Sequence, residues 1–193
     1  MSEEDRVRRS GLIVTDMFNT YDHEDADALT RSVAEVVEPI SALAARAREE
    51  GIEVVYVNDN YGDWSASKAD LIDSAMNGRR PDLVEPVLPP EGVSFVSKSR
   101  HSIFYGTPLE TLLSQKGIDH VVLVGQVTEQ CILYSALDAY VRDLKITVPR
   151  DGVAHIHEHL AQAAFEMMES NMSAELTPCA DCTLRDRERE NVS

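Results

Sequence analysis

The sequence predicts a three-layer α/β/α domain built on a mainly parallel sheet. Three observations carry that prediction: five short runs rich in Val and Ile, amphipathic helical stretches alternating with them, and Gly or Pro at several of the junctions. The strands are read at GLIVTDMF (11–18), IEVVYVND (52–59), VSFVSK (93–98), HVVLVGQ (120–126) and KITVPRD (145–151). Runs that are apolar at consecutive positions suit strands covered on both faces.

The helical stretches fall at about 28–50, 107–116, 129–143 and 157–170. In the first, Val33, Val36, Val37, Ile40, Leu43 and Ala44 share one side, the spacing of a face that packs on a sheet. Gly51 ends it. The second opens on Thr107 as N-cap with Pro108 in the first helical position, and ends at Gly117. Residues 60–92 break the alternation, with Gly62, Trp64, Gly78 and the prolines 81, 86, 89 and 90. An insertion of that length reads as a lid, a binding loop or part of an interface.

Length and composition fit the class. The 193 residues are the size of one domain, spanning 1–193, with a core over about 10–175 and solvated charged tails, SEEDRVRR and LRDRERENVS. With 43% hydrophobic and 27% charged residues, the chain has enough apolar surface to fold. A formal net charge of -16 repels a phosphate backbone, so nucleic acid is not an expected partner. The start, MSEEDRVRRSGLIV, places charges where a signal peptide needs an apolar region, and no apolar run approaches the ~18 residues of a membrane span. A cytoplasmic protein without a membrane partner is expected. Three cysteines, an odd and sparse set, read as reduced thiols.

Ligands of open parallel sheets bind beyond the carboxyl ends of the strands, so reactive residues there stand out. Asp16 closes the run LIVT, and Lys98 ends SFVSK. Cys131 follows the fourth strand, in the first turn of its helix, after Gly125 and a Thr128 N-cap. Each has a structural reading: a turn residue, an exposed strand end, a small buried hydrophobe. Together they supply a proton acceptor, a cation and a nucleophile in one crevice. A helix N-terminus and a nearby ammonium favour the thiolate, Asp16 can accept the thiol proton, and Lys98 can hold the charges in place. That set suits acyl transfer.

Carried by IVTDMFN, VSKSRHSIFYGTPLETLL and VLVGQVTEQCILYSALDAYVRDLKITVPRDGVAH, the sequence resembles the isochorismatase-like cysteine hydrolases. The resemblance implies a Rossmann-like fold with Asp16, Lys98 and Cys131 as the catalytic triad. It also implies a cis peptide at Gln126-Val127 and an oxyanion hole formed by the backbone N–H groups of Val127 and Cys131. Members that act as nicotinamidases carry a metal-binding Asp-x-His with a further His after the second strand. VNDNYGDW has no His there, so neither a metal nor another cofactor is expected. Members that cleave the vinyl ether of isochorismate lack the cysteine. Its presence here implies cleavage of a C–N bond in a small amide, carbamoyl or ureido compound, and homo-oligomers are common among such proteins. Phe18, Asn19, Trp64, His101, Phe104, Tyr105 and Tyr134 are the candidate substrate contacts, with core packing the alternative for the aromatic ones.

Other signals point elsewhere. PCADC (178–182) matches half of a zinc deaminase signature, but Ile156 stands where H-x-E needs its His, and HIHEH (155–159) is not H-E-x-x-H. A structural zinc on Cys179 and Cys182, a thiol redox or sensor role, and a non-catalytic binding module are the competing readings.

Overall fold

The computed structural model describes residues 9–185; the tail segments at 1–8 and 186–193 lie outside the described residues. The protein is a mostly parallel seven-stranded sheet with helices on both sides. The strands are β1 (Ser10–Thr15), β2 (Glu53–Asp59), β3 (Ser94–Lys98), β4 (His120–Gln126), β5 (Lys145–Pro149), β6 (Val153–Ala154) and β7 (Glu175–Thr177). The order is β3-β2-β1-β4-β5-β7, with β6 pairing β4, and every named pair is parallel.

The two central strands, β1 and β4, are buried along their whole length, which explains their unbroken apolar character. Alternate side chains serve opposite faces. Leu12, Val14, Val122 and Val124 join the cluster beneath α1 (Ala26–Glu49). Ile13, Val121 and Leu123 join the cluster beneath α4 (Leu109–Lys116), α5 (Leu133–Tyr140) and α6 (Glu158–Met172).

Helix α1 buries Leu29, Val33, Val36, Val37, Ile40, Leu43, Ala44 and Ala47, an i, i+3, i+4, i+7 stripe. Pro39 lies inside it without ending it, on a half-exposed stretch where its missing N–H is tolerated. The start of α4 falls one residue later than the sequence indicates: Pro108 occupies the cap position, and the Thr107 hydroxyl accepts from the Leu109 N–H at 3.4 Å.

The stretch 60–92 is not an open lid. It folds into α2 (Lys68–Met76) and α3 (Pro81–Val84), and Leu71, Ala75, Leu83, Val84 and Val87 enter the α1-side core. Helix α2 starts at a capping box, the Ser67 hydroxyl accepting from the Asp70 N–H while the Asp70 carboxylate accepts from the Ser67 N–H at 2.8 Å. Gly78 backs directly onto Thr20, where a Cβ would meet the carbonyl oxygen at 2.5 Å.

The short strands β6 and β7 escape a periodicity reading because two or three residues carry no alternation. The C-terminal tail also begins later than charge alone indicates, since Leu184 is 2% exposed and belongs to the α1-side core. Among the described residues no helix is long and apolar enough to cross a membrane.

Candidate active site

The carboxyl ends of β1, β3 and β4 lie on the same side of the sheet, with β2 between β1 and β3. Asp16, the residue after β1, adopts φ 56°, a left-handed conformation that Asp tolerates better than most residues. This turns the chain out of the strand. Its N–H donates to the Val57 carbonyl at 2.8 Å, and its Oδ1 accepts from the Asp59 N–H at 2.7 Å.

Lys98 ends β3 with its side chain wholly buried, and its Nζ lies 2.7 Å from Asp16 Oδ2 and 3.5 Å from Asp59 Oδ2. The same Nζ is 3.6 Å from Cys131 Sγ, which places the thiol and the Asp16 carboxylate beside one another. The three residues singled out in the sequence therefore meet around one ammonium group.

Cys131 is carried by a π-helical turn, Thr128–Ile132, that leads into α5. Strand β4 reaches this turn through Gly125, at φ 119°, where a Cβ would fall 2.0 Å from the Thr15 carbonyl oxygen. Only glycine permits that approach. The Gln126-Val127 peptide is cis, and the Val127 N–H points to the Cys131 sulfur. Thr128 is not the N-cap. Val127 holds that position, while the Thr128 hydroxyl donates to the Ala154 carbonyl at 2.9 Å and ties the turn to β6.

The electrostatics correct one expectation. Burial pushes the Cys131 thiol well above the ordinary range, the Asp16 charge pushes it further, and Lys98 only partly opposes them. The balance favours the thiol over the thiolate. Burial likewise raises Asp16 above an ordinary carboxyl, against the pull of Lys98. For Lys98 burial acts the other way, but the charge and hydrogen bond of Asp16 and the charge of Asp59 hold it above the usual ammonium value.

The other candidates separate by position. His101 reaches this cluster, with Nδ1 3.7 Å from Cys131 Sγ, and its ring lies 5.4 Å from that of Tyr134. Tyr105 and Trp64 are 64% and 81% exposed. Phe18 is placed in the core instead of on an open wall, stacked on Tyr56 and Phe95 and 1% exposed. Phe104 is buried beneath the Arg142 guanidinium. Asn19 closes a turn, its side-chain oxygen accepting from the Tyr21 N–H at 2.7 Å.

Several supporting residues carry no motif that sequence reasoning could use. Asp59 is the second carboxylate at Lys98. Gln126, 1% exposed, donates to the Asp16 carbonyl and fixes the aspartate's backbone to the end of β4. Glu129 accepts from the Ile156 and His157 N–H groups at 3.0 and 2.8 Å, linking the cysteine turn to the start of α6. Tyr61 is more than half exposed as a residue, yet its hydroxyl turns inward and donates to the Phe18 carbonyl at 2.8 Å.

Cys179 and Cys182 are buried, and Arg46 donates to the carbonyls of both. Burial raises both thiols, Cys182 to about 12. His155 pairs with Ser32, and His157 occupies the N-cap position of α6 without a side-chain capping bond. Among the described residues no group of three or more His, Cys, Asp or Glu is gathered to hold a metal ion. A cavity of about 760 Å³ lined by His120, Lys145, Thr147 and Glu175 lies at the opposite end of the strands, away from Cys131.

Residues 10–181, which include Asp16, Lys98 and Cys131, match the model of the Isochorismatase domain. The chain belongs to the isochorismatase family. It is 32% identical over 177 residues to an uncharacterized isochorismatase family protein, YaaI, of Bacillus subtilis, covering 92% of this chain and 96% of the relative. It is 31% identical over 158 residues to the maleamate amidohydrolase of Pseudomonas putida, covering 78% and 74%. Among solved structures, N-carbamoylsarcosine amidase from Thermoplasma acidophilum superposes with a TM-score of 0.71 at 26% identity, covering 90% of this chain and 98% of that one.

Proposed function

We propose that this protein is a cysteine-dependent hydrolase that cleaves a C–N bond in a small non-peptide amide, carbamoyl or ureido compound through a thioester on Cys131. The observation that carries the reading is the convergence of Asp16, Lys98 and Cys131 within contact distance at the carboxyl ends of separate strands. The amide-cleaving relatives, maleamate amidohydrolase and N-carbamoylsarcosine amidase, support the reaction class.

The chemistry starts from the thiol. As Cys131 attacks the substrate carbonyl, its proton passes to Asp16, and Lys98 stabilises the negative charge that moves between sulfur and carboxylate. The Val127 and Cys131 N–H groups receive the carbonyl oxygen as it becomes an oxyanion. Collapse breaks the C–N bond, and Asp16 returns the proton so that the amine leaves neutral. Water then releases the acid from the thioester.

His101, Tyr134, Tyr105 and Trp64 offer the substrate-facing side of this reading. Action in the cytoplasm as a single domain belongs to it, as does self-association. The exposed apolar side chains Leu137, Tyr140 and Val141 in and just after α5 support a homo-oligomer. A screen of small amides and ureido acids for ammonia release, with Cys131→Ser as control, tests the activity, and light scattering on the purified chain tests the assembly. Ammonia release that survives in Cys131→Ser removes the reading.

A further inference from the structure

The sulfur of Cys131 has a closed side and an open side. On the closed side, Lys98 is wholly buried and the Asp16 side chain is 9% exposed. Both oxygens of Asp16 are already engaged: Oδ1 accepts the Asp59 N–H at 2.7 Å, and Oδ2 faces Lys98 at 2.7 Å. Such a group can take a proton from sulfur. A water approaching an acylated Cys131 from outside meets His101 first, an exposed residue whose Nδ1 stands 3.7 Å from Sγ.

His101 is held there. In the following residues the Ser102 hydroxyl donates to Asp138, and the Ile103 N–H donates to the Ser135 hydroxyl at 3.1 Å. Asp138 is itself held by Arg142 at 3.1 Å. Helix α5 thus anchors both the turn that carries the nucleophile and the loop that carries the imidazole. The Tyr134 ring beside His101 comes from the same helix.

Resting on the acyl-transfer reading above, we infer that His101 is a second catalytic base, acting in thioester hydrolysis while Asp16 serves acylation. An O–H bond of the attacking water breaks and its proton goes to Nδ1, as the water oxygen bonds to the thioester carbonyl carbon. Collapse of the tetrahedral intermediate breaks the C–S bond. The sulfur then takes the proton back from Nδ1 across the 3.7 Å gap. One water is consumed, the carboxylic acid leaves, and nothing is oxidised or reduced.

The test uses the full chain and p-nitrophenyl acetate, comparing wild type, His101→Gln and His101→Ala, with circular dichroism confirming that both variants fold. Release of p-nitrophenolate reports acylation, and the steady-state rate reports deacylation. Intact-mass measurement reports acetyl-Cys131. In His101→Gln the initial burst persists, the steady-state rate falls by about 10²-fold, and the acetyl-enzyme accumulates. Added imidazole restores turnover in His101→Ala, which a purely structural role for His101 does not predict. Unchanged steady-state rates, a slowed reaction without accumulated adduct, or absence of imidazole rescue overturns the inference while leaving Cys131 acylation intact. A wild-type chain that is never acetylated at Cys131 defeats the hydrolase reading itself and this inference with it.

Discussion

Lys98 Nζ lies 2.7 Å from Asp16 Oδ2 with no part of the lysine side chain exposed, so two full charges depend on one another inside the domain. Removing Lys98 leaves the Asp16 carboxylate without its cation in a low-dielectric site. Lys98→Met is expected to lower the unfolding free energy by about 3–5 kcal/mol. The double variant Asp16→Asn/Lys98→Met is expected to recover a large part of that loss. Urea unfolding of the three proteins checks both outcomes, and equal losses in the single and double variants would contradict the dependence.

Asp16 also sets a pH signature. Its folded pKa is raised above the ordinary 3.8, chiefly by burial. A carboxyl raised on folding contributes stability that is complete below its unfolded pKa and is lost as pH rises through its folded pKa. The stability of wild type relative to Asp16→Asn is therefore expected to improve as pH falls through the window between the raised value and 3.8. Paired urea titrations across the acid range check the sign. Under the proposed mechanism, turnover is expected to fall as pH falls through that window, because protonated Asp16 cannot accept the thiol proton.

The resting thiol makes a separate prediction. Because burial and Asp16 raise Cys131, alkylation of the free protein by iodoacetamide is expected to be slow near neutrality and to climb without a plateau between about pH 7 and pH 9. Rates measured at several pH values, with modification located by peptide mass, check this. A fast reaction that plateaus near neutral pH would indicate a resting thiolate.

Gly125 and Glu129 hold the cysteine turn in different ways. Gly125→Ala places a Cβ 2.0 Å from the Thr15 carbonyl oxygen at φ 119°, so the ends of β1 and β4 must separate. Its expected cost is at least about 1–3 kcal/mol from backbone strain alone, read as a lowered urea midpoint. Glu129→Ala removes the acceptor of two backbone N–H groups and is expected to cost about 1.5–3 kcal/mol, whereas Glu129→Gln keeps an acceptor there and costs less.

The strands and the three residues that converge at their ends were legible because their signals are local and long enough. Each of β1 to β5 carries an uninterrupted or nearly uninterrupted apolar run, and a charged or thiol residue at the end of such a run stands out against its neighbours. Strands β6 and β7 span only two and three residues, too short for a period. The fold of 60–92 was hidden because its prolines and glycines read as loop, while its core contacts Leu71, Leu83 and Val87 depend on where α1 lies.

At the candidate site, the proximity of Asp16, Lys98 and Cys131 followed from their strand-end positions, and the balance of charge around the sulfur did not. Motif reading weighs Lys98 and the helix N-terminus near Cys131, but burial and the Asp16 charge, which decide the sulfur's state, exist only in the folded chain. Gln126, Asp59 and Glu129 were missed for a similar reason. Each acts through backbone or charge partners brought together by the sheet. Phe18 belongs to the reverse case: its position suggested a pocket wall, and its stacking on Tyr56 and Phe95 makes it core.

The central claim is covalent chemistry at Cys131, and the most direct measurement is mass spectrometry of the chain quenched in acid during turnover of an amide found in the ammonia-release screen. The account predicts an acyl increment on the peptide containing Cys131, removed by hydroxylamine and absent from Cys131→Ser, which no longer releases ammonia. Continued hydrolysis by Cys131→Ser, or turnover by wild type with the acyl increment on another residue, would contradict it.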